Sequence, residues 1–154
     1  MKKQPNSRRC FVCGASNSAG LNVRFYECDD HSILAFFTPC EHHADDDGNL
    51  HTGAISAVMD EAMGRAIMIP YADKIWGVTA ELSFKFLRPA PVGVELRVTG
   101  RITEEKSRVF EGTGELRLAD GTVAAEAHAK YRKLDMDQIG DFDPQREKWA
   151  VRAE

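Results

Sequence analysis

One run of residues, Gly53 to Ile69, limits what this chain can fold into. It reads GAISAVMDEAMGRAIMI, is apolar almost all round, and is followed at once by Pro70. A helix of that kind must be covered on most of its sides, and proline ends it. The pattern predicts one helix over about Thr52–Ile69. The other regular runs are strand-like. Two precede the helix, Leu21–Tyr26 and Ser32–Thr38, split by a turn at Asp29-Asp30-His31. Four follow it: Trp76–Leu87, Val94–Thr103, Val109–Leu118 and Val123–Leu134. The turns between them carry Pro89 to Gly93, Glu104 to Ser107, and Ala119-Asp120-Gly121, the last a hairpin signal. Short connections favour antiparallel neighbours. The expectation is an α+β fold, an antiparallel sheet of five to six strands wrapped round one long central helix. The later strands are long, and a long edge strand invites pairing with a second copy.

At 154 residues and 43% hydrophobic content the chain fits one domain, large enough to bury a core without disulfides or a metal. Residues 1–9 read as a disordered basic arm with no apolar signal core behind it. Residues 10–20 are turn-rich, Glu41 to Leu50 is an acidic loop, and 135–154 is a polar tail or docking helix. A net charge of -4 gives no reason to expect nucleic acid or a membrane surface as partner, and no run is long enough to span a bilayer. A cytoplasmic protein with reduced thiols is expected.

Three charges interrupt the apolar run. Glu61 and Arg65 are spaced i,i+4 with the acid first, the favourable order for a surface pair. Asp60 has no such partner, and one turn away on either side it meets Ser56, Ala57, Met63 and Gly64. A carboxylate on a buried helix without a cation must be hydrogen-bonded, shifted in pKa or facing a cavity. It is a candidate general base or nucleophile. Cys10 and Cys13 have the spacing of half a zinc site. Cys40, His42 and His43 could complete it, with Cys28 or His31 in reserve. A second Cys-x-x-Cys is absent, so the expectation is a reduced, metal-free turn.

His51-Thr52-Gly53 with Asp60 nine positions after the histidine, Asp60-Glu61-Ala62, Gly77 to Phe84, and Phe86 to Ala90 occur in that order. So does an N-terminal Cys10-Phe11-Val12-Cys13-Gly14 with Asn17, Gly20 and Leu21. Together, over residues 10–134, they resemble a hotdog-fold thioesterase of the phenylacetate-degradation (PaaI-like) type. Thr52 stands where that family usually has glycine, and its side chain narrows the approach to its N–H. Asp45 stands where related enzymes often have asparagine, and a second carboxylate near Asp60 would raise one of the two pKa values.

The resemblance implies an acyl-CoA thioesterase. Asp60 would activate water or attack the thioester carbonyl. The N–H groups of Thr52 and Gly53, in the first helical turn, would meet the oxyanion. His51 would fix the loop before the helix, and the Thr79 hydroxyl, arriving from another subunit, would orient the water. Asn49, Arg88, Lys106 and Arg108 are the candidates for substrate contact, the cations toward the phosphates of coenzyme A. No cofactor is expected beyond the coenzyme A of the substrate. The expected partner is a second copy of the chain, as a dimer or a dimer of dimers. Two other readings stand beside this one: an acyl-thioester hydratase or dehydratase, and a non-catalytic acyl-CoA or lipid-binding module.

Overall fold

The helix of the computed structural model, α1, spans Thr52–Arg65, and a 3-10 turn at Ala66–Met68 carries the chain to Ile69. The structure describes residues 1–139 and 143–151. The helix expected to run to Ile69 tightens one turn early, because the residue before a proline is pushed out of the α region and last turns commonly become 3-10. Among the described residues seven antiparallel strands form one sheet: β1 Lys2–Lys3, β2 Arg24–Glu27, β3 Ile33–Phe37, β4 Ile75–Phe86, β5 Leu96–Glu105, β6 Val109–Arg117 and β7 Val123–Asp135. Their order is β1-β2-β3-β5-β6-β7-β4, and the sheet wraps α1 in the hotdog arrangement.

Two differences from the sequence reading have clear causes. β4 and β5 are not neighbours, despite the short link between them. The link is held elsewhere: the Leu50 N–H donates to the Ala90 carbonyl at 2.8 Å, and the Gly93 N–H to the Pro39 carbonyl at 2.7 Å. These bonds carry the chain across to β3, so β4 is left at the sheet edge beside β7. Residues 1–9 are not a loose arm. β1 pairs with β2, Gln4 donates its N–H to Phe25, and the Asn6 amide donates to the carbonyls of Cys13 and Val23 at 2.7 and 3.0 Å. Polar residues that read as solvated are buried here because they satisfy backbone acceptors. In the tail, Met136–Gln138 forms a 3-10 turn, Ala150 bridges back to Asn6, and Trp149 packs on Trp76 with ring centroids 5.1 Å apart. The tail thus docks as an irregular segment; its residues 140–142 and 152–154 lie outside the described part. Among the described residues no helix is long and apolar enough to cross a membrane.

The helix sits on the sheet through Ile55, Val58, Met59, Ala62 and Met63, all buried against Ala35, Val98, Phe110 and Leu116 of the strands. Contact is closest at Gly100 in β5. A Cβ there would lie 2.5 Å from the backbone carbon of Ala62. No side chain can yield to relieve that clash, because the neighbour is backbone. Gly100→Ala should therefore lift α1 off the sheet and cost about 1–3 kcal/mol, the usual cost of overpacking. For a domain of this size that is a fall of roughly 3–10 °C in thermal midpoint. An unchanged midpoint in a melting experiment would show that the helix is not seated there.

Candidate active site

Asp60 faces outward from the middle of α1 toward β4 and β7. Thr79 of β4 donates its hydroxyl to the carboxylate, 2.9 Å from Oδ1 and 3.1 Å from Oδ2. The Tyr131 hydroxyl of β7 lies 3.0 Å from Oδ1 and 2.9 Å from the backbone carbonyl of Asp60 itself. Thr79 and Tyr131 are cross-strand partners, so they share a face of the sheet. A bulge at Ala80 follows directly, between the Thr79–Tyr131 and Glu81–Lys130 pairs. By adding one residue it re-aims the strand, so that Leu82, Phe84 and Phe86 also face inward, opposite Ala129, Ala127 and Ala125.

Thr79 therefore reaches Asp60 within one chain, which overturns the expectation that it arrives from another subunit. α1 and β4 are joined by a short turn and packed on each other, so the contact needs no second copy. Tyr131 is the residue the sequence reading missed. Its signal was present: along β7 it ends the small inward series Ala125, Ala127, Ala129, and a tyrosine on a buried face needs a partner for its hydroxyl. Gly64 leaves room for the ring, since a Cβ there would be 3.2 Å from Tyr131 Cε1. Phe110 stacks on the ring at 4.7 Å.

Burial raises the Asp60 carboxyl above its ordinary range, and the Thr79 and Tyr131 hydroxyls pull it partly back. Burial and the neighbouring Asp60 push the Tyr131 phenol up, so it stays a donor. Asp45 plays no part in this balance. Its carboxylate accepts the N–H groups of Asp47 and Asn49 at 3.0 and 2.9 Å and so shapes its own loop. Within one chain, then, Asp45 is not beside Asp60. Asn49 is held in the same loop, its carbonyl accepting from the Asp45 N–H.

The start of the helix is exposed, with His51, Thr52 and Gly53 all open to solvent. His51 is the N-cap, and its Nδ1 accepts the Gly53 N–H at 2.9 Å. Of the two expected oxyanion donors, then, the Gly53 N–H is already engaged, and the Thr52 N–H comes first in the helix, where no intrahelical acceptor exists. Thr52 lies eight residues from Asp60, roughly 12 Å along the helix axis.

Glu61 and Arg65 are not a surface pair. Arg65 is 4% exposed. It donates Nε and Nη2 to Glu61 Oε1 at 2.9 and 2.7 Å, and its guanidinium lies over the rings of Phe25 and Trp149 at 4.3 and 5.0 Å. The N-terminal segment, expected to be a disordered arm, and the tail, expected as a polar tail or docking helix, are what cover it. Glu61 Oε2 accepts from the Cys10 thiol at 3.5 Å. Cys40 and His43 pair with each other at 3.6 Å and do not join Cys10 and Cys13, nor does His42. His42 and His43 sit on the 3-10 turn Glu41–His43 that opens the acidic loop, and Cys40 is its N-cap.

A cavity of about 480 Å³ connects these groups, lined by Asp60, Thr79, Tyr131, Cys10, Trp76 and Trp149 among others. The candidate cations divide between two ends of the sheet. Arg108 sits at the β5–β6 turn, where its carbonyl accepts from Lys133, the partner of Gly77. Lys106 of that turn pairs with Glu104 at 3.0 Å. Arg88 lies past the other end of β4, nine residues from Thr79, roughly 30 Å along the strand.

Residues 47–125 match the thioesterase superfamily, a stretch running from the acidic loop through α1 to the start of β7. No curated protein matches the sequence. Among solved structures, the thioesterase superfamily protein RHA08564 superposes with a TM-score of 0.71 at 25% identity, over 80% of this chain and 63% of that one. The chain thus spans less than two thirds of that protein. The Escherichia coli PaaI protein of the phenylacetic acid degradation operon gives a TM-score of 0.67 at 17% identity, over 74% of this chain and 80% of that one. The Haemophilus influenzae thioesterase HI1161 gives 0.72 at 13% identity, over 87% and 98%.

The raised Asp60 carboxyl has a consequence for stability. A carboxyl whose folded pKa lies above its unfolded value stabilises the fold only while protonated. That contribution is present below about pH 4, the unfolded value, and is lost as pH rises through the folded pKa. An amide loses nothing over that window. Asp60→Asn should therefore gain thermal stability relative to the parent as pH rises from 4 to 7. Melting curves showing a constant or shrinking difference would contradict the unfavourable burial of this charge.

Proposed function

The chain belongs to the thioesterase superfamily and has the hotdog fold, and we propose that it hydrolyses acyl-CoA thioesters with Asp60 as the activating carboxylate. One observation carries the reading. Asp60 is a half-buried carboxylate, raised in pKa, held by two hydroxyls and open to a cavity, with no cation among the influences on it. Such a group is costly to the fold and suited to accepting a proton. A water resting between Asp60 Oδ2 and Thr79 Oγ1 would give one hydrogen to each. Its lone pair would then point into the cavity, toward a thioester carbonyl. Attack on that carbon places negative charge on the carbonyl oxygen and, after collapse, expels the thiolate of coenzyme A.

The oxyanion needs donors within about 3 Å, and the Thr52 N–H of the same helix is roughly 12 Å up the axis from Asp60. We therefore assign that donor to a second copy of the chain, with His51 holding the turn that presents it. Two features support a homodimer as the smallest active unit. β4 is a twelve-residue edge strand, and such edges pair. Its inward-facing Leu82 and Phe86 are 42% and 45% exposed, more than a finished core leaves open. Arg108, whose carbonyl accepts from Lys133 beside Gly77, is our candidate for the coenzyme A phosphates at this site, and Arg88 would serve a site only from another copy.

Asp60→Asn should lower turnover of acyl-CoA thioesters by two to four decades, about 3–5 kcal/mol of barrier, with fold and assembly kept. Free-thiol detection over a panel of acyl chains measures this, and near-parental turnover would remove Asp60 from the chemistry. Thr79→Ala should cost tenfold to a hundredfold in kcat with KM little changed. Subunit mixing separates the chains. Asp60→Asn mixed with His51→Ala should regain activity, since one site of each mixed dimer is then intact. Asp60→Asn mixed with Thr79→Ala should not, because both lesions act from the same chain. The reverse pattern, or a monomer mass near 17.1 kDa by light scattering, would overturn the assignment.

A further inference from the structure

The cavity beside Asp60 has a second chemical cluster that hydrolysis does not use. Cys10, Cys13 and Glu61 bring two sulfurs and one carboxylate oxygen within 4.8 Å of one another. Glu61 is 51 residues from Cys10 and has in sequence only the spacing of half a surface pair. We propose that these three side chains bind a thiophilic divalent cation of the zinc class, with its remaining position facing the cavity.

The loop aims two backbone donors at one of the sulfurs. The N–H groups of Val12 and Cys13 both point at Cys10 Sγ, at 3.3 and 3.5 Å. Backbone donors of this kind stabilise the deprotonated sulfur that a metal requires. The Gly14 N–H closes the turn onto the Cys10 carbonyl at 2.9 Å. Only glycine fits at position 14, because a Cβ there would sit 2.2 Å from that carbonyl oxygen.

The distances suit a tetrahedral ion. Zinc–sulfur and zinc–oxygen bonds of about 2.3 and 2.1 Å put tetrahedral sulfur and oxygen ligands roughly 3.6 Å apart. Cys10 Sγ and Glu61 Oε2 are 3.5 Å apart. The carboxylate is already divided between two tasks. Oε1 takes both Arg65 donors, which fixes its orientation, and Oε2 is turned to the sulfur. An outer partner that orients a ligand is a regular part of metal sites. Charge also closes: two thiolates and a carboxylate against Arg65 leave a deficit of two positive charges, which a divalent cation supplies. Three protein ligands and one open position are the arrangement of a cation that keeps a water. The ion would fasten the N-terminal segment to α1 one residue from Asp60.

The test uses untagged full-length protein, stripped with a chelator under reducing conditions and then given zinc(II) or cobalt(II) alone. One ion per chain is expected. Cobalt should give thiolate charge-transfer absorption with tetrahedral d–d bands, and zinc should raise the thermal midpoint. The bands should vanish in Cys10→Ser and in Cys13→Ser, weaken in Glu61→Gln, and persist in Cys28→Ser and Cys40→Ser. Four titratable thiols with no stoichiometric ion in the parent would overturn the proposal. So would a loss of two thiols to a Cys10–Cys13 disulfide that still forms with zinc present, or binding that survives Cys10→Ser. Glu61→Gln is read by circular dichroism first. If it does not fold, the two cysteine variants carry the test.

Discussion

The structure depends on how closely α1 approaches the sheet. Its backbone at Ala62 lies directly over Gly100, with no side chain between them. That contact fixes the depth of the helix in the sheet, and the neighbouring residues follow from it. Met63 fills the space over Gly112 and Gly114, while Asp60, two residues before Ala62, is brought to the level of Thr79 and Tyr131. A helix held farther away would leave the carboxylate in water and out of reach of both hydroxyls. The glycines of β5 and β6 therefore place the site as much as the residues that form it.

At that depth the Asp60 charge is set by two opposing effects. Burial raises its pKa; two neutral hydroxyls lower it. A lysine or arginine in place of either hydroxyl would hold the carboxylate ionised and much less basic. The next residue shows the contest: Arg65 pulls the Glu61 carboxyl down, yet burial prevails and pushes it up to about 7. Adjacent positions on a helix point about 100° apart, so the two carboxylates face different neighbours. One is matched to a cation; the other is left free to take a proton.

Local pattern made much of this legible. The helix, six of the seven strands and the turn at Gly121 follow from periodicity and turn chemistry, and Asp60 was marked by being an acid in an apolar run. What was not legible depends on contacts distant in sequence. β4 moved to the sheet edge because backbone bonds from Leu50 and Gly93 redirect the link after it, and backbone bonds leave no trace in side-chain pattern. Gln4 and Asn6 looked solvated, yet they are buried where Val23 and Phe25 offer carbonyls. Thr79 was assigned to the wrong chain because a resemblance gives a residue type and not the copy that supplies it. Glu61 and Arg65 were read as exposed because the segments that cover them, the N-terminus and the Trp149 tail, have no strong pattern of their own.

That cover also bears on the chemistry. Without Trp149 and the Cys10 loop, the cavity beside Asp60 would be an open groove and Arg65 would be hydrated. Water screens charge, so the Glu61–Arg65 pair and the raised Asp60 carboxyl both need the enclosure. The two ends of the chain meet there: Arg9 pairs with Glu147 at 3.0 Å, and Asn6 bridges to Ala150. The sheet and helix place Asp60 next to its hydroxyls, and the chain ends lower the dielectric around it. Neither part suffices alone, since a well-placed carboxylate in water is an ordinary weak base, and an enclosed one without donors would be neutral.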